Sequence, residues 1–266
     1  MKSAMKPLKY LMIMKTGFQN AIAYRAAAIA QLCFCTLFIY VFVSLWRAIY
    51  HEGGVHGYDY SQIIWYLIMT EFITFLCGVG VLNNINEEVK TGSIVYQIGR
   101  PVHYVLYQFA SSMGQVLFNF LTFGPLSVIL GLLFVGPLRS FRLEGLPMLA
   151  LSIGLSVILN FFILVLIGLS ALVVEDNFAL FLIYQKLGFM LGMFLPVEFL
   201  PAWLQPVAKA LPFSYVYWAQ AKLFVNFSSE TCVELIPRQA AWATAAVIVA
   251  LASYRLCVRR LAINGG

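Results

Sequence analysis

Charged residues are scarce in this sequence. Only 11% of the residues are Asp, Glu, Lys or Arg, and 62% are hydrophobic, whereas ordinary soluble domains have about 25% charged and 45–50% apolar residues. This composition excludes an ordinary soluble protein and predicts an all-α integral membrane protein. A chain of 266 residues has room for about six spans of about 20 residues each. We therefore expect a single transmembrane domain over residues 1–266.

Residues that bind metals and nucleotides are also few. The three histidines and five cysteines do not recur at metal-ligand spacing, so the sequence predicts neither a metal site nor a disulfide framework. No G-x-x-x-x-G-K-[ST] phosphate loop occurs. The net charge of +6 forms no basic nucleic-acid-binding face, and we interpret it as a topology signal and as attraction to anionic membrane lipids.

Apolar stretches long enough to cross a bilayer recur along the chain. The predicted spans are residues 26–46, 62–82, 109–135, 147–174, 178–195 and 238–254. Residues 1–25 precede the first span and scatter lysines among apolar residues. This pattern predicts an amphipathic helix that lies on the membrane surface, and the alternative is an ordinary start to the first span.

The basic residues near the span ends predict the orientation. If both termini are cytoplasmic, the inside receives ten of them: Lys2, Lys6, Lys9, Lys15, Arg25, Lys90, Arg100, Arg255, Arg259 and Arg260. The outside then receives six: Arg47, Arg139, Arg142, Lys209, Lys222 and Arg238. The inside majority favours this topology, because cytoplasmic loops carry the excess of lysine and arginine.

Glu71 lies near the middle of the second predicted span. An ionised carboxylate at that depth costs about 2.5–3.5 kcal/mol, so it should face protein or a wet cavity. Two interpretations remain: Glu71 forms the wall of a substrate path, or it is a protonated or paired structural residue. Lys186 is its clearest intramembrane ionisable companion, which is too little for a proton relay.

Glycines and prolines shape the C-terminal third. Gly188 and Gly192 lie four residues apart, a spacing that allows close helix packing, and we favour packing within one subunit over a dimer interface. Prolines that no single helix accommodates follow at Pro196, Pro201, Pro206 and Pro212. Residues 196–237 are therefore predicted to form broken helices or a re-entrant hairpin at the outer interface, followed by an extracellular loop.

The longest polar interruption between two predicted spans covers residues 83–103. It places Glu87, Glu88, Lys90 and Arg100 within about four helical turns of each other. The charge count puts this stretch on the cytoplasmic side. A chain so poor in charge does not need four charged residues here for solubility alone, and we predict that this segment contacts a partner.

The motifs of this segment resemble those of ABC-2 type transporter permeases. Glu88, Gly92 and Arg100-Pro101 are similar to the acid, glycine and basic-proline pattern between the second and third spans of that family. FQNAIAYR near the N-terminus, the loop of residues 51–58 and LPAWLQPVAKALPFSY before the last span resemble its small six-span branch. The resemblance covers most of the chain, and it depends on the order of short motifs.

The resemblance implies a permease subunit of an ATP-driven exporter in a bacterial inner membrane. Its partners would be two copies of an ABC ATPase subunit and a second permease, identical or paralogous. ATP and magnesium would bind the ATPase, and this chain would be neither an enzyme nor a cofactor carrier. Residues 83–107 would form the cytoplasmic coupling segment. In it Glu87, Glu88 and Lys90 meet the ATPase, Gly92 allows a close turn, and Arg100-Pro101 end the segment.

The alternatives to an exporter subunit are an ion-coupled secondary transporter and an intramembrane enzyme. A secondary transporter should contain broken helices in two matching halves, but the sequence predicts a heavily broken stretch only near the C-terminus. An intramembrane enzyme would need a nucleophile–base pair or a metal site, and the three histidines all fall in predicted loops. The abundant aromatic residues suit an amphipathic, lipid-like or drug-like cargo, although they would also face lipid in any membrane protein.

Overall fold

The computed structural model describes residues 5–53, 57–174 and 176–264, and within them it contains helices and no strands. The helices are α1 Met5–Ala23, α2 Arg25–His51, α3 Tyr60–Cys77, α4 Gly80–Lys90, α5 Ile94–Ile98, α6 Tyr104–Phe134, α7 Leu146–Ser170, α8 Phe178–Gly188, α9 Leu204–Ala210, α10 Pro212–Val225 and α11 Ser229–Asn264. Short 3-10 turns at Leu143–Gly145 and Val197–Phe199 precede α7 and α9.

Five helical stretches among the described residues are long and apolar enough to cross a membrane. They are Ala26–His51, Tyr60–Lys90, Tyr104–Phe134, Leu143–Ser170 and Ser229–Arg259. The fifth predicted span corresponds to the shorter apolar stretch Phe178–Met193, which at 1.5 Å per residue reaches about 24 Å and not the roughly 30 Å of a hydrocarbon core. The architecture is consistent with a multi-pass membrane protein.

The second span is interrupted. It consists of α3 and α4, which are separated at Gly78, where φ is 56°. A positive φ favours glycine because it has no Cβ. The amide of Asn119 on α6 donates to Phe75 O at 2.8 Å, and that of Asn160 on α7 donates to Gly78 O at 3.4 Å. These side chains satisfy carbonyls that the break frees within an apolar environment.

A second interruption follows α8. The chain continues as a single π-helical turn, Phe189–Met193, and leaves helical geometry at Gly192. Thr70 on α3 donates to Met193 O at 3.0 Å, and the Tyr66 hydroxyl donates to Gly192 O. The expectation that helices are broken only near the C-terminus is therefore wrong, because the second span is also broken, between α3 and α4. This break is not predicted from the sequence because Gly78 is a single residue within an apolar run.

Helices α3 and α10 lie at the centre of the fold. Both are buried along most of their length, and Tyr66 on α3 and Trp218 on α10 are fully buried. Polar side chains connect α10 to its neighbours: Gln239 on α11 donates to Tyr215 O and to Ser152 O, each at 3.0 Å. These bonds fix α7, α10 and α11 relative to one another, because breaking them would leave buried amides unpaired.

The predicted N-terminal helix forms as α1, although residues 1–4 lie outside the described part of the chain. It packs closely on α6: a Cβ built at Gly114 would lie 2.1 Å from Met14 O, and one at Gly17 would lie 2.2 Å from Ser111 O. Leu11 and Met12 remain exposed on the other side. Helix α1 therefore has one face on the protein and one apolar face available to lipid.

The proline-rich stretch forms short helices. Pro196 precedes the turn Val197–Phe199, and Pro206 lies in the first turns of α9. Pro212 is the first residue of α10. Proline is tolerated there because the N–H of the first helical residue makes no hydrogen bond within the helix. The long loop predicted to extend to residue 237 is not found. Helix α11 begins at Ser229 and contains Pro237 in its interior.

Candidate functional site

The segment between the second and third spans contains α4, a turn, α5 and a non-helical link to α6. Helix α4 is amphipathic, with Val81, Leu82 and Ile85 buried against the bundle and Asn83 and Glu87 exposed. Gly92 has a φ of 71°, so it allows the chain to turn between α4 and α5. The segment is thus an ordered helical hairpin at the end of the second span.

The two neighbouring glutamates of this segment point in different directions. Glu88 accepts a hydrogen bond from the Tyr104 hydroxyl at 2.5 Å, and the Gln108 amide lies 3.2 Å from each of its carboxylate oxygens. Tyr104 and Gln108 are buried in the first turns of α6. Glu88 therefore ties α4 to α6, whereas the Glu87 side chain is exposed.

An exposed surface remains on this hairpin, which we call the coupling surface. It consists of Glu87, Lys90, Val95, Tyr96 and Arg100. Ile94 is buried and anchors α5, while the Val95 and Tyr96 side chains are 61% and 83% exposed. Gly92 and Pro101 are also exposed. The charged residues of this surface were predicted from the sequence, whereas Val95 and Tyr96 were not, although apolar residues in a polar stretch were a signal.

Glu71 lies on α3 and is 3% exposed. No hydrogen bond or ion pair reaches its carboxylate from any described residue. Lys186 is exposed on α8. The burial of Glu71 agrees with the requirement that an intramembrane carboxylate face protein or a cavity, and it is compatible with either role.

Gly188 and Gly192 both face α10 of the same chain. A Cβ at Gly188 would lie 2.8 Å from Tyr217 Cε2, and one at Gly192 would lie 3.0 Å from Trp218 Cβ. Side chains at these positions would push the interrupted helix away from α10, because both distances are shorter than ordinary carbon contacts. Because glycine has no side chain, the π-helical turn stays close to the centre of the bundle.

A cluster around Glu198 holds the proline-rich stretch, and sequence reasoning missed it. The Glu198 carboxylate accepts from Lys222 Nζ at 2.5 Å, Trp218 Nε1 at 3.2 Å and the Tyr58 hydroxyl at 3.3 Å. Burial and the Glu198 charge raise the pKa of Tyr58, so its phenol stays protonated and donates. An acid between Pro196 and Pro201 was the only signal in the sequence.

Comparison with known proteins provides no family. No family model matches the sequence, and no curated protein matches it. A functional assignment therefore depends on the motifs of the sequence and on the geometry described above.

Proposed function

We propose that this chain is the permease subunit of an ATP-driven ABC-2 type exporter in the bacterial cytoplasmic membrane, with both termini in the cytoplasm. It would act with two copies of an ATPase subunit and with a second permease, identical or paralogous. ATP and magnesium would bind the ATPase, and this chain would carry no ATPase site and no cofactor of its own. The complex would move an amphipathic, lipid-like or drug-like molecule outward.

The coupling surface is the observation that carries this proposal. Val95 and Tyr96 form an exposed apolar centre, and the charged residues Glu87, Lys90 and Arg100 lie around it in the chain. An aromatic anchor with a polar rim is the usual composition of a protein-binding patch. The charges also make insertion of this hairpin into the hydrocarbon core unfavourable. A cytoplasmic protein partner fits it better than lipid.

The contacts of Glu88 suggest how a push on this surface would reach the spans. A displacement of α4 and α5 is passed to α6 through the Glu88–Tyr104 and Glu88–Gln108 hydrogen bonds. It is passed to α3 across the break at Gly78, which can act as a hinge. ATP-driven closure of the ATPase pair would then shift the bundle between inward-facing and outward-facing states.

A lateral cavity supports an amphipathic cargo. A space of about 790 Å³ lies between α3, α6 and α7, and its lining is almost entirely apolar. Trp65, Phe72, Pro125 and Leu149 are among the residues that form its wall. Its volume falls within the roughly 300–1,000 Å³ of ligand pockets, so it would accept the apolar part of a cargo that enters from the bilayer.

ATP hydrolysis by the native complex tests this function. The tagged chain is purified from its own membranes, and the ATPase activity that accompanies it is measured with Tyr96→Ala and Glu87→Lys variants. We expect hydrolysis to fall about tenfold or more for Tyr96→Ala, because an aromatic anchor contributes about 2 kcal/mol or more at an interface. Trp203→Ala is the matched control, since Trp203 is 73% exposed outside the coupling surface.

Two outcomes would contradict the proposal. One is a purified chain that brings no ATPase activity with it. The other is a rate of ATP hydrolysis that is as high in the Tyr96→Ala and Glu87→Lys variants as in the Trp203→Ala control. Membrane insertion of each variant is checked by its yield and helical content.

The interrupted helices favour a second candidate, an ion-coupled secondary transporter. Breaks at Gly78 and at Gly192 lie in the first and second halves of the chain, which is the arrangement that such transporters use. Reconstitution of the chain alone distinguishes the two functions. Uptake into proteoliposomes that is driven by a proton or sodium gradient without ATPase would favour this second candidate.

A further inference from the structure

A polar cavity of about 410 Å³ lies between α1, α2, α4 and α6, apart from the coupling surface and the apolar cavity. Five amide side chains line it: Asn20, Gln31, Asn84, Gln115 and Asn119. Two serine hydroxyls of α6 and the aromatic rings of Tyr24 and Phe118 complete its polar and apolar walls. No Asp, Glu, Lys or Arg is among the described residues that line it.

Most of these amides have no partner within the protein. Asn119 donates to Phe75 O at 2.8 Å, but among the residues that the structure describes none forms a hydrogen bond with the side chain of Asn20, Gln31, Asn84 or Gln115. Gln115 lies about 16 Å along α6 from its first residue, well inside a predicted span. The side chains of these four residues are exposed, so their donors and acceptors are available to a polar ligand that enters the cavity.

The chemistry of the walls defines the ligand. An amide offers both donors and acceptors, as does a hydroxyl, so several converging amides match several hydroxyls. A charged group would find no countercharge here, and an apolar group would leave the amides unpaired. We propose that this cavity binds an uncharged polyhydroxylated group, a glycosyl or polyol unit, with the rings of Tyr24 and Phe118 against its apolar face.

The cavity is connected to the coupling surface through α4. Asn84 lines the cavity, and Glu87 lies three residues further along the same helix, so a ligand bound to Asn84 contacts the helix that carries the exposed charges. As a cargo site the cavity rests on the proposed function. Binding itself does not, and it can be measured on the chain alone.

Photolabelling of the full chain in phosphatidylcholine nanodiscs tests the site. The probe is a diacylglycerol glucoside with a photoreactive acyl chain, and the measurement is the labelled fraction of peptides from α1, α2, α4 and α6. We expect Gln115→Leu and Gln31→Leu each to reduce labelling about tenfold, the effect of losing one hydrogen bond of about 1.4 kcal/mol. Gln185→Leu is the matched control, because Gln185 is exposed on α8 outside the cavity.

A competition arm identifies the source of the glycosyl group. Loss of labelling with excess methyl glucoside indicates that the free sugar binds, and labelling that persists indicates that the lipid-linked form is required. Helical content and melting temperature establish that each variant folds.

Two results would overturn the site. One is unchanged labelling in both the Gln115→Leu and Gln31→Leu variants, and the other is equal labelling of the same peptides by a photoreactive phosphatidylcholine. Glucoside labelling of the chain, combined with no ATPase activity in the preparation from its own membranes, would refute the exporter proposal and leave the site intact.

Discussion

Adjacent residues in this chain have different roles according to the direction of their side chains. Glu87 and Glu88 are chemically identical neighbours on α4, yet Glu88 accepts hydrogen bonds from buried residues of α6 whereas Glu87 is exposed. The resemblance to permeases assigned both residues to partner contact. The exposed Glu87 remains available to a partner, whereas the hydrogen bonds of Glu88 give it a structural role at the junction of α4 and α6.

Replacement of each glutamate by alanine separates the two roles. Glu88→Ala should lower the free energy of unfolding by about 1.5–3 kcal/mol, because hydrogen bonds to a charged group are lost and buried donors are left unpaired. Glu87→Ala should change it by no more than about 0.5 kcal/mol. Thermal unfolding in detergent measures both, and equal melting temperatures for the two variants would refute the structural role of Glu88.

At the scale of helices, close backbone approach determines where α1 lies. Gly17 on α1 and Gly114 on α6 bring the two backbones into contact because neither residue has a Cβ. Helix α1 also contributes Asn20 to the polar cavity, so its distance from α6 sets the width of that cavity. Lysine dispersal predicted this helix, but its packing partner was not readable from its own sequence.

A methyl group at the crossing should force α1 and α6 apart. Gly114→Ala should destabilise the protein by about 1–3 kcal/mol, since the added Cβ would overlap Met14 O and the N atom of Phe18. Gly154→Ala on α7 is the matched control: nothing lies within 4 Å of its Cβ, and alanine is favoured over glycine in a helix by about 1 kcal/mol. Melting temperatures that fall equally for both variants would contradict the close crossing.

At the scale of the molecule, the Glu198 cluster and the coupling surface lie at opposite ends of the second span. That span starts at Tyr60, next to Tyr58 of the cluster, and ends at Lys90 of the coupling surface. Its 31 residues extend at most about 45 Å, the length of an unbroken helix, which is roughly the thickness of a bilayer with its head groups. We therefore predict that the two ends lie on different sides of a membrane.

Single cysteines at these ends test the orientation. In a variant with all five native cysteines replaced by alanine, Trp203→Cys should react with an impermeant maleimide in intact cells. Tyr96→Cys should react only after permeabilisation, because the excess of lysine and arginine places its end in the cytoplasm. Both side chains are highly exposed, so differences in reactivity report on the side of the membrane. The reverse pattern would invert the topology.

The helical membrane class and the approximate positions of the long spans can be predicted from the order of the amino acids alone. The polar segment between the second and third spans and the breaks caused by prolines can be predicted in the same way. These features follow from the hydrophobicity and backbone preferences of residues that are close together in the sequence. The sequence predicted six spans, but Phe178–Met193 is apolar and shorter than a hydrocarbon core.

The pairing of polar groups becomes visible only in the folded molecule. Tyr58 and Glu198 are 140 residues apart in sequence, and Glu88 finds its partners on another helix. The unpaired amides of Gln31 and Gln115 line the same cavity because α2 and α6 approach each other. Local sequence patterns specify which residues are polar. The pairing of distant side chains depends on how the helices pack, and helix packing depends on contacts between residues that are far apart in the sequence.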